Sequence, residues 1–305
     1  MKIKDITSYL ESIAPLSYQE SYDNSGLIVG NLNDEVSKAL ISLDCTEEVV
    51  EEAIAKGCDM IISHHPIVFK GLKRFNNNNY VERTVIKAIK NNIALYAIHT
   101  NLDNVLGGVS SKIAEKLNLS NTAILSPKAG LLKKLSVYVP RASVDEVRKA
   151  LFDAGAGSIG DYDQCSYNSA GYGTFRPLAG ANPAIGEVGE HERVEETKIE
   201  VIFPKQLERK VIVAMLAAHP YEEVAYHAIS LDNKFQYVGS GIIGNLDQPL
   251  EGAAFLTYLK EKLQLKVIRH TKLTDRKIKR VAGCCGAGGF LLGEAKRSGA
   301  DIFIT

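Results

Sequence analysis

Met60-Ile61-Ile62-Ser63-His64-His65-Pro66 and Ile93-Ala94-Leu95-Tyr96-Ala97-Ile98-His99 decide how this chain folds. Each is an apolar run as short as a buried strand, and each gives way to histidine where the run stops. Upstream, Leu40-Ile41-Ser42-Leu43 is another short apolar strand. Thr46 is placed to cap the helix that follows, Glu47 and Glu48 favour its dipole, and Gly57 is placed to end it. A second helical stretch, about residues 80 to 91, separates His65 from the strand that ends at His99. Strand and helix in alternation imply an α/β fold with a parallel-rich sheet and helices on its faces. Ligands collect beyond the carboxyl ends of strands in such sheets, which is where His64, His65, His99 and Asp103 fall.

Two adjacent imidazoles and a nearby carboxylate suit metal. Side chains of neighbouring residues on extended backbone point to opposite sides. His64 and His65 are therefore expected to serve separate members of a pair of divalent ions, with Asp103 between them as a bridge. Histidine with carboxylate suits Zn, Fe, Mn, Co or Ni without choosing among them. Imidazole titrates in the range useful for proton transfer, so His99 reads as a ligand, a general acid or base, or a partner that orients a ligand. It reads equally as a hydrogen-bonded turn residue. Asp44 is expected in a cap or turn, and Asp23-Asn24 in a turn before the Gly26 to Gly30 strand.

With 305 residues the chain has room for two domains, each with its own core. Lys+Arg and Asp+Glu both number 36, and a net charge near zero argues against a dedicated nucleic-acid or anionic-membrane binder. No apolar run approaches a membrane span, and the start lacks the long apolar core of a signal peptide, so a cytoplasmic location is expected. Cys45, Cys58, Cys165, Cys284 and Cys285 form an odd, scattered set without a C-x-x-C pair, expected to be reduced core or turn residues rather than a disulfide framework or a thiolate metal site.

The rhythm changes after Pro127. Leu135 to Val139 reads as a strand and Ser143 to Ala154 as an amphipathic helix. A glycine-rich loop is expected over 155 to 190, then a strand at Thr197 to Phe203, a helix at 206 to 218 and a strand near Val224 to Leu231. This order fits a ferredoxin-like α+β insert domain. Beyond it the first lobe is echoed. Gly57, Asp59, Ile62 and Ser63 match Gly299, Asp301, Ile304 and Thr305, and both copies read strand, helix, strand. The expectation is a two-lobed domain with an internal repeat: lobe 1 over 1–128, the insert over 129–234, and lobe 2 over 235–305, incomplete at its C-terminus. Gly283, Gly286, Gly288 and Gly289 fit tight strand–helix packing better than a phosphate cradle, since the nucleotide-loop spacings are absent. Arg269 to Arg280 reads as a solvated hairpin. His219-Pro-Tyr-Glu-Glu223 reads as a helix end entering a strand, or else as a second metal or protomer contact.

Asp23-Asn24-Ser-Gly26-Leu-Ile-Val-Gly30, Ser63-His-His-Pro-Ile-Val-Phe69, His99-Thr-Asn-Leu-Asp103 and Val281-Ala-Gly-Cys-Cys-Gly-Ala-Gly288 resemble the GTP cyclohydrolase 1 type 2 homologue family of NGG-interacting-factor-like proteins. The resemblance covers essentially the whole chain. It implies a dinuclear metal site with His64, His65 and Asp103 as ligands, a ring-shaped homohexamer, and an insert similar to PII and divalent-cation-tolerance proteins. It also implies further ligands near the C-terminus, a His and a Glu four residues apart, which this sequence does not reach. The function expected is that of a dinuclear metal-dependent hydrolase acting on a small, possibly nucleotide-like molecule, with His99 as proton shuttle. The alternative is a non-catalytic metal-binding or regulatory protein with a sensor-like insert.

Overall fold

The computed structural model describes all 305 residues, which divide into two compact units. One joins Met1–Pro127 to Gln236–Thr305; the other is Lys128–Phe235. The first segment runs α1 (Ile3–Ile13), β1 (Gly26–Val29), β2 (Ala39–Ser42), α2 (Glu47–Ala55), β3 (Met60–Ser63), α3 (Tyr80–Lys90), β4 (Ala94–Ala97), the short α4 (Thr100–Asp103), α5 (Val109–Lys116) and β5 (Ser120–Lys128). Thr46 caps α2 by accepting from the Val49 amide, and Asn79 caps α3 by accepting from the Glu82 amide. Each cap satisfies a donor that the helix itself leaves unpaired.

The first four strands of this segment form a sheet in the order β1-β4-β3-β2. β2, β3 and β4 run parallel, while β1 lies antiparallel against β4, so the sheet is mixed. Short apolar runs record burial, not direction. Every side chain of β4 is buried, and Ile61 and Leu95 pack with Val50 and Ala53 of α2 and Ala88 of α3. Burying each larger apolar side chain contributes roughly 1.5–3 kcal/mol, so the central strands are fixed firmly beneath their carboxyl ends.

The second unit runs β6 (Leu132–Pro140), α6 (Val144–Asp153), β7 (Tyr167–Phe175), β8 (Glu192–Pro204), α7 (Glu208–Ala218) and β9 (Tyr226–Leu231). Its sheet has the order β7-β8-β6-β9 with all neighbours antiparallel, and Leu132 pairs with Leu231. Leu135, Val137 and Val139 alternate onto one face, where Ile199, Val201 and Phe203 meet Val147, Leu151, Val211 and Met215 of the two helices. The other face is polar: Glu200 takes Lys134, Lys198 and the Ser136 hydroxyl. The glycine-rich stretch is not one loop. Strand β7 lies within it, as an edge whose mostly exposed residues give no apolar alternation.

The chain returns to the first unit with β10 (Phe235–Leu250), α8 (Gly252–Leu263), β11 (Ile278–Gly283), α9 (Leu292–Arg297) and β12 (Ile302–Ile304). These strands and β5 form a second sheet in the order β12-β11-β10-β5. Residues 269 to 277 form no hairpin: β11 begins at Ile278 and pairs back onto β10. The internal repeat has a physical counterpart. Asp59 Oδ2 accepts the amides of Ser37 and Lys38, and its own amide donates to the Lys38 carbonyl. Asp301 repeats this with the amides of Lys279 and Arg280 and the Arg280 carbonyl. Gly57 and Gly299 precede them at φ +63° and +72°, the left-handed turn that lets each helix end and the next strand start. No helix is long and apolar enough to cross a membrane.

Candidate metal centre

The amides of His64 and His65 bond to the carbonyls of Ser42 and Leu43, extending the β2–β3 ladder past the end of β3. The backbone bends there, and the Ser63 hydroxyl donates to the His65 carbonyl across the bend. The bend overturns the expectation that the two rings face opposite ways, because alternation holds only on extended backbone. Their centroids stand 5.0 Å apart, and His99 joins them at 5.2 and 5.4 Å. One ring nitrogen from each of the three lies within 4.8 Å of the others.

Each imidazole is held from behind. His64 Nδ1 is 2.9 Å from the Ile98 carbonyl, His65 Nδ1 is 2.7 Å from Asp44 Oδ1, and His99 Nδ1 is 2.7 Å from Asp23 Oδ1. An acceptor at Nδ1 fixes the proton there and leaves the Nε2 lone pair free. Three such histidines facing one another make a donor set that fits a divalent metal ion, and His64, His65 and His99 can hold one. Asp103 approaches from α4, with Oδ1 at 3.7 Å from His64 Nε2.

Asp23 shows how tightly His99 is governed. Its side chain is fully buried. Oδ1 accepts from His99 and from the Asn24 amide, and Oδ2 accepts from the Ser25 hydroxyl and from both the amide and hydroxyl of Thr100. Burial pushes its carboxyl up, but the bonds from His99, Thr100 and Asn24 outweigh this and hold it at about 2.

The second segment of this unit supplies the opposite wall. Cys285 follows β11, and its thiol donates to Asp103 Oδ1 at 3.0 Å. A cavity of about 220 Å³ opens here, lined by Glu20, Tyr22, His99, Asp103, Cys285 and Phe290 among others. The structure thus brings His64, His65, His99 and Asp103 together. It also places Asp44 and Asp23 on imidazoles rather than in a simple cap or turn. The signal for both was present in the sequence, an acidic residue just beyond or before a short strand. His219 is buried with both nitrogens engaged, Nε2 by the Tyr138 carbonyl and Nδ1 by the Tyr221 amide, so it serves the helix end.

A mixed α/β scaffold that gathers three histidines beyond its strand ends can hold a metal ion. The model of the Duf34/NIF3 (NGG1p interacting factor 3) family matches residues 1–305, and the chain belongs to that family. A GTP cyclohydrolase 1 type 2 homolog of Bacillus subtilis is 42% identical over 303 residues, covering 99% of this chain and 81% of the relative. A counterpart of the same name from Listeria monocytogenes is 37% identical over 303 residues, with the same coverage of 99% and 81%. Among solved structures, a Bacillus cereus protein related to NIF3 superposes with a TM-score of 0.87 at 45% identity, covering 99% of this chain and 81% of that one. A Staphylococcus aureus protein follows with a TM-score of 0.75 at 31% identity, covering 99% and 80%.

Proposed function

We propose that this chain is a dinuclear metal-dependent hydrolase in which His64, His65 and Asp103 hold two divalent ions and His99 moves the proton. The observation that carries this reading is the set of three imidazoles whose Nδ1 atoms are all committed to acceptors while their free nitrogens converge. When bound, divalent ions supply Lewis acidity, which acidifies water and polarises an electrophilic oxygen. The chain's own residues do the rest. Asp44 and the Ile98 carbonyl orient His65 and His64, and Asp23, ionised at neutral pH, stabilises the positive charge His99 gains on taking a proton at Nε2. The 220 Å³ cavity beside His99 and Asp103 admits a small group, with Tyr22 and Phe290 as apolar walls. Relatives carry the name GTP cyclohydrolase 1 type 2 homolog, so GTP heads the substrate panel, beside other nucleotides, phosphoesters and cyclic amides.

The same proposal treats 1–128 and 235–305 as two related lobes and 129–234 as a ferredoxin-like, PII-like insert, in a cytoplasmic homohexamer. The insert's strand order with a helix after its first and third strands supports that likeness. One observation favours a sensor role for the insert in place of catalysis. A cavity of about 550 Å³ lies within it, lined by Tyr172, Phe175, Tyr221 and Glu196 among others. The test is metal content and turnover of the wild type, His64→Ala, Asp103→Ala and His99→Ala. The hydrolase reading expects the first two variants to lose metal and turnover, and His99→Ala to lose turnover with the metal kept by His64, His65 and Asp103; loss of metal in His99→Ala would make His99 a third ligand in place of a proton carrier. Full metal loading without turnover on any of the panel would hand the site to the regulatory reading.

A further inference from the structure

We propose that the cavity of the second unit is a binding site for a small organic cation of the quaternary ammonium kind. The inference is independent of the metal centre and gives the insert a ligand of definite charge.

The cavity stands on the face of the sheet turned away from the helices. Tyr138 alternates with Val137 and Val139 on β6, and Glu196 falls on the positions of β8 that alternate with Ile199 and Val201, so both point away from the core. Phe175, Ile185 and Tyr221 complete a largely apolar enclosure of about 550 Å³. That lies within the roughly 300–1,000 Å³ usual for small-molecule sites. Residues 177 to 189, which supply one wall, are tied down. The Asn182 amide donates to Glu222 Oε1 and the Gly189 amide to the Pro177 carbonyl, each at 2.8 Å.

Tyr221 is braced before any ligand arrives. Its amide donates to His219 Nδ1 at 3.1 Å, and its ring meets those of His219 and Phe175 at centroid distances of 5.1 and 5.9 Å. Its hydroxyl donates to Glu196 Oε1 at 3.1 Å. Burial and the neighbouring Glu196 push that hydroxyl up to about 12, so it stays a donor at neutral pH. Glu196 Oε2 takes no donor from the chain. Gly173 leaves room for the carboxylate, since a Cβ there would come within 2.7 Å of the Glu196 carboxyl carbon. A site set in advance loses little ordering entropy on binding.

Charge selects the occupant. Glu196, Glu222 and Glu223 line the cavity against the single guanidinium of Arg176. No helix N-terminus borders it, so a nucleotide or phosphate would meet repulsion without compensation. Aromatic faces attract cations, quaternary ammonium groups above all, and apolar walls suit the methyl groups that such a cation carries. A bare metal ion has no use for those walls.

The test uses the full chain with chelator present to silence the metal centre, titrated calorimetrically with choline and with 3,3-dimethylbutan-1-ol, which has choline's shape without its charge. Wild type is expected to bind choline, and the alcohol at least ~10-fold more weakly, because its uncharged head makes no cation–π contact. Glu196→Gln still accepts from Tyr221 but lacks the charge, and should weaken choline binding at least ~10-fold. Phe175→Ala, which removes one wall, should weaken it too, with urea melts reporting that each variant is folded. Wild type that binds no choline, equal binding of the alcohol, choline affinity that survives Glu196→Gln, or displacement of choline by ATP would each overturn the cation site. None of these outcomes bears on the histidine centre.

Discussion

Replacing Asp23 by Asn should damage the first unit more than its position in a turn suggests. The carboxylate is fully buried and gathers donors from His99, Asn24, Ser25 and Thr100. Its carboxyl lies at about 2 against an ordinary 3.8, which corresponds to ~2 kcal/mol of stability by linkage. Asn keeps the shape but turns an NH2 group toward some of these donors, and a buried donor left unpaired costs a further ~1–3 kcal/mol. The expected loss at neutral pH is therefore about 3–5 kcal/mol. The sign with pH follows from a depressed carboxyl. The contribution is present above 3.8 and is lost as pH falls through about 2, so the gap between wild type and variant should close across that window. Native-state hydrogen exchange at the amides of β4, measured with chelator present, reports this unit alone. A gap under ~0.5 kcal/mol, the range of an ordinary surface substitution, would refute the account, as would a gap that does not change with pH.

Three further outcomes follow from the packing and charge. Glu200 is held at about 2 by Lys134, Lys198 and Ser136, against an ordinary 4.5; acid unfolding of the second unit should steepen as pH falls from 4.5 through about 2 in wild type and flatten in Glu200→Gln. Asp59→Ala and Asp301→Ala each strip the acceptor from a pair of exposed strand amides, which water can partly replace, and should each cost ~0.5–1.5 kcal/mol in urea melts, while Asn restores part of it. Gly30 sits at φ +121°, and a Cβ there would come within 2.9 Å of Ala94 Cβ; Gly30→Ala should lower the melting temperature by an amount equivalent to ~1–3 kcal/mol, and no change would mean the contact is not rigid.

Much of the site could be read from local sequence. His64, His65 and His99 announce themselves because apolar strands stop beside them, and strand ends are local features. Asp59 and Asp301 match across the repeat because both perform the same clamp, each with bonds spanning only 22 and 21 positions. What stayed hidden depends on distant partners. His99 and Asp23 meet across 76 positions and Cys285 and Asp103 across 182, and no periodicity encodes such encounters. Strand direction was hidden for a related reason: β1 and β10 lie antiparallel to a neighbour, and a run of apolar residues reads the same in both senses. β7 escaped notice because an exposed edge strand carrying Gly171 and Gly173 has no buried face to display.

The pairing of Leu132 with Leu231 has a consequence for how the chain finds its way home. Joining Asp103 to Cys285 across 182 positions of loose chain costs about 2 kcal/mol more loop entropy than closing the 22-position Asp59 clamp. Once β6 and β9 zip together, the two ends of the intervening segment lie side by side and most of that detour is removed. The insert then works as a bookbinder's stitch, turning two distant pages into facing ones before anything is written across them. Pulse-labelled hydrogen exchange should accordingly find the amides of β6 and β9 protected earlier in refolding than that of Cys285, and the reverse order would mean that the lobes locate each other unaided.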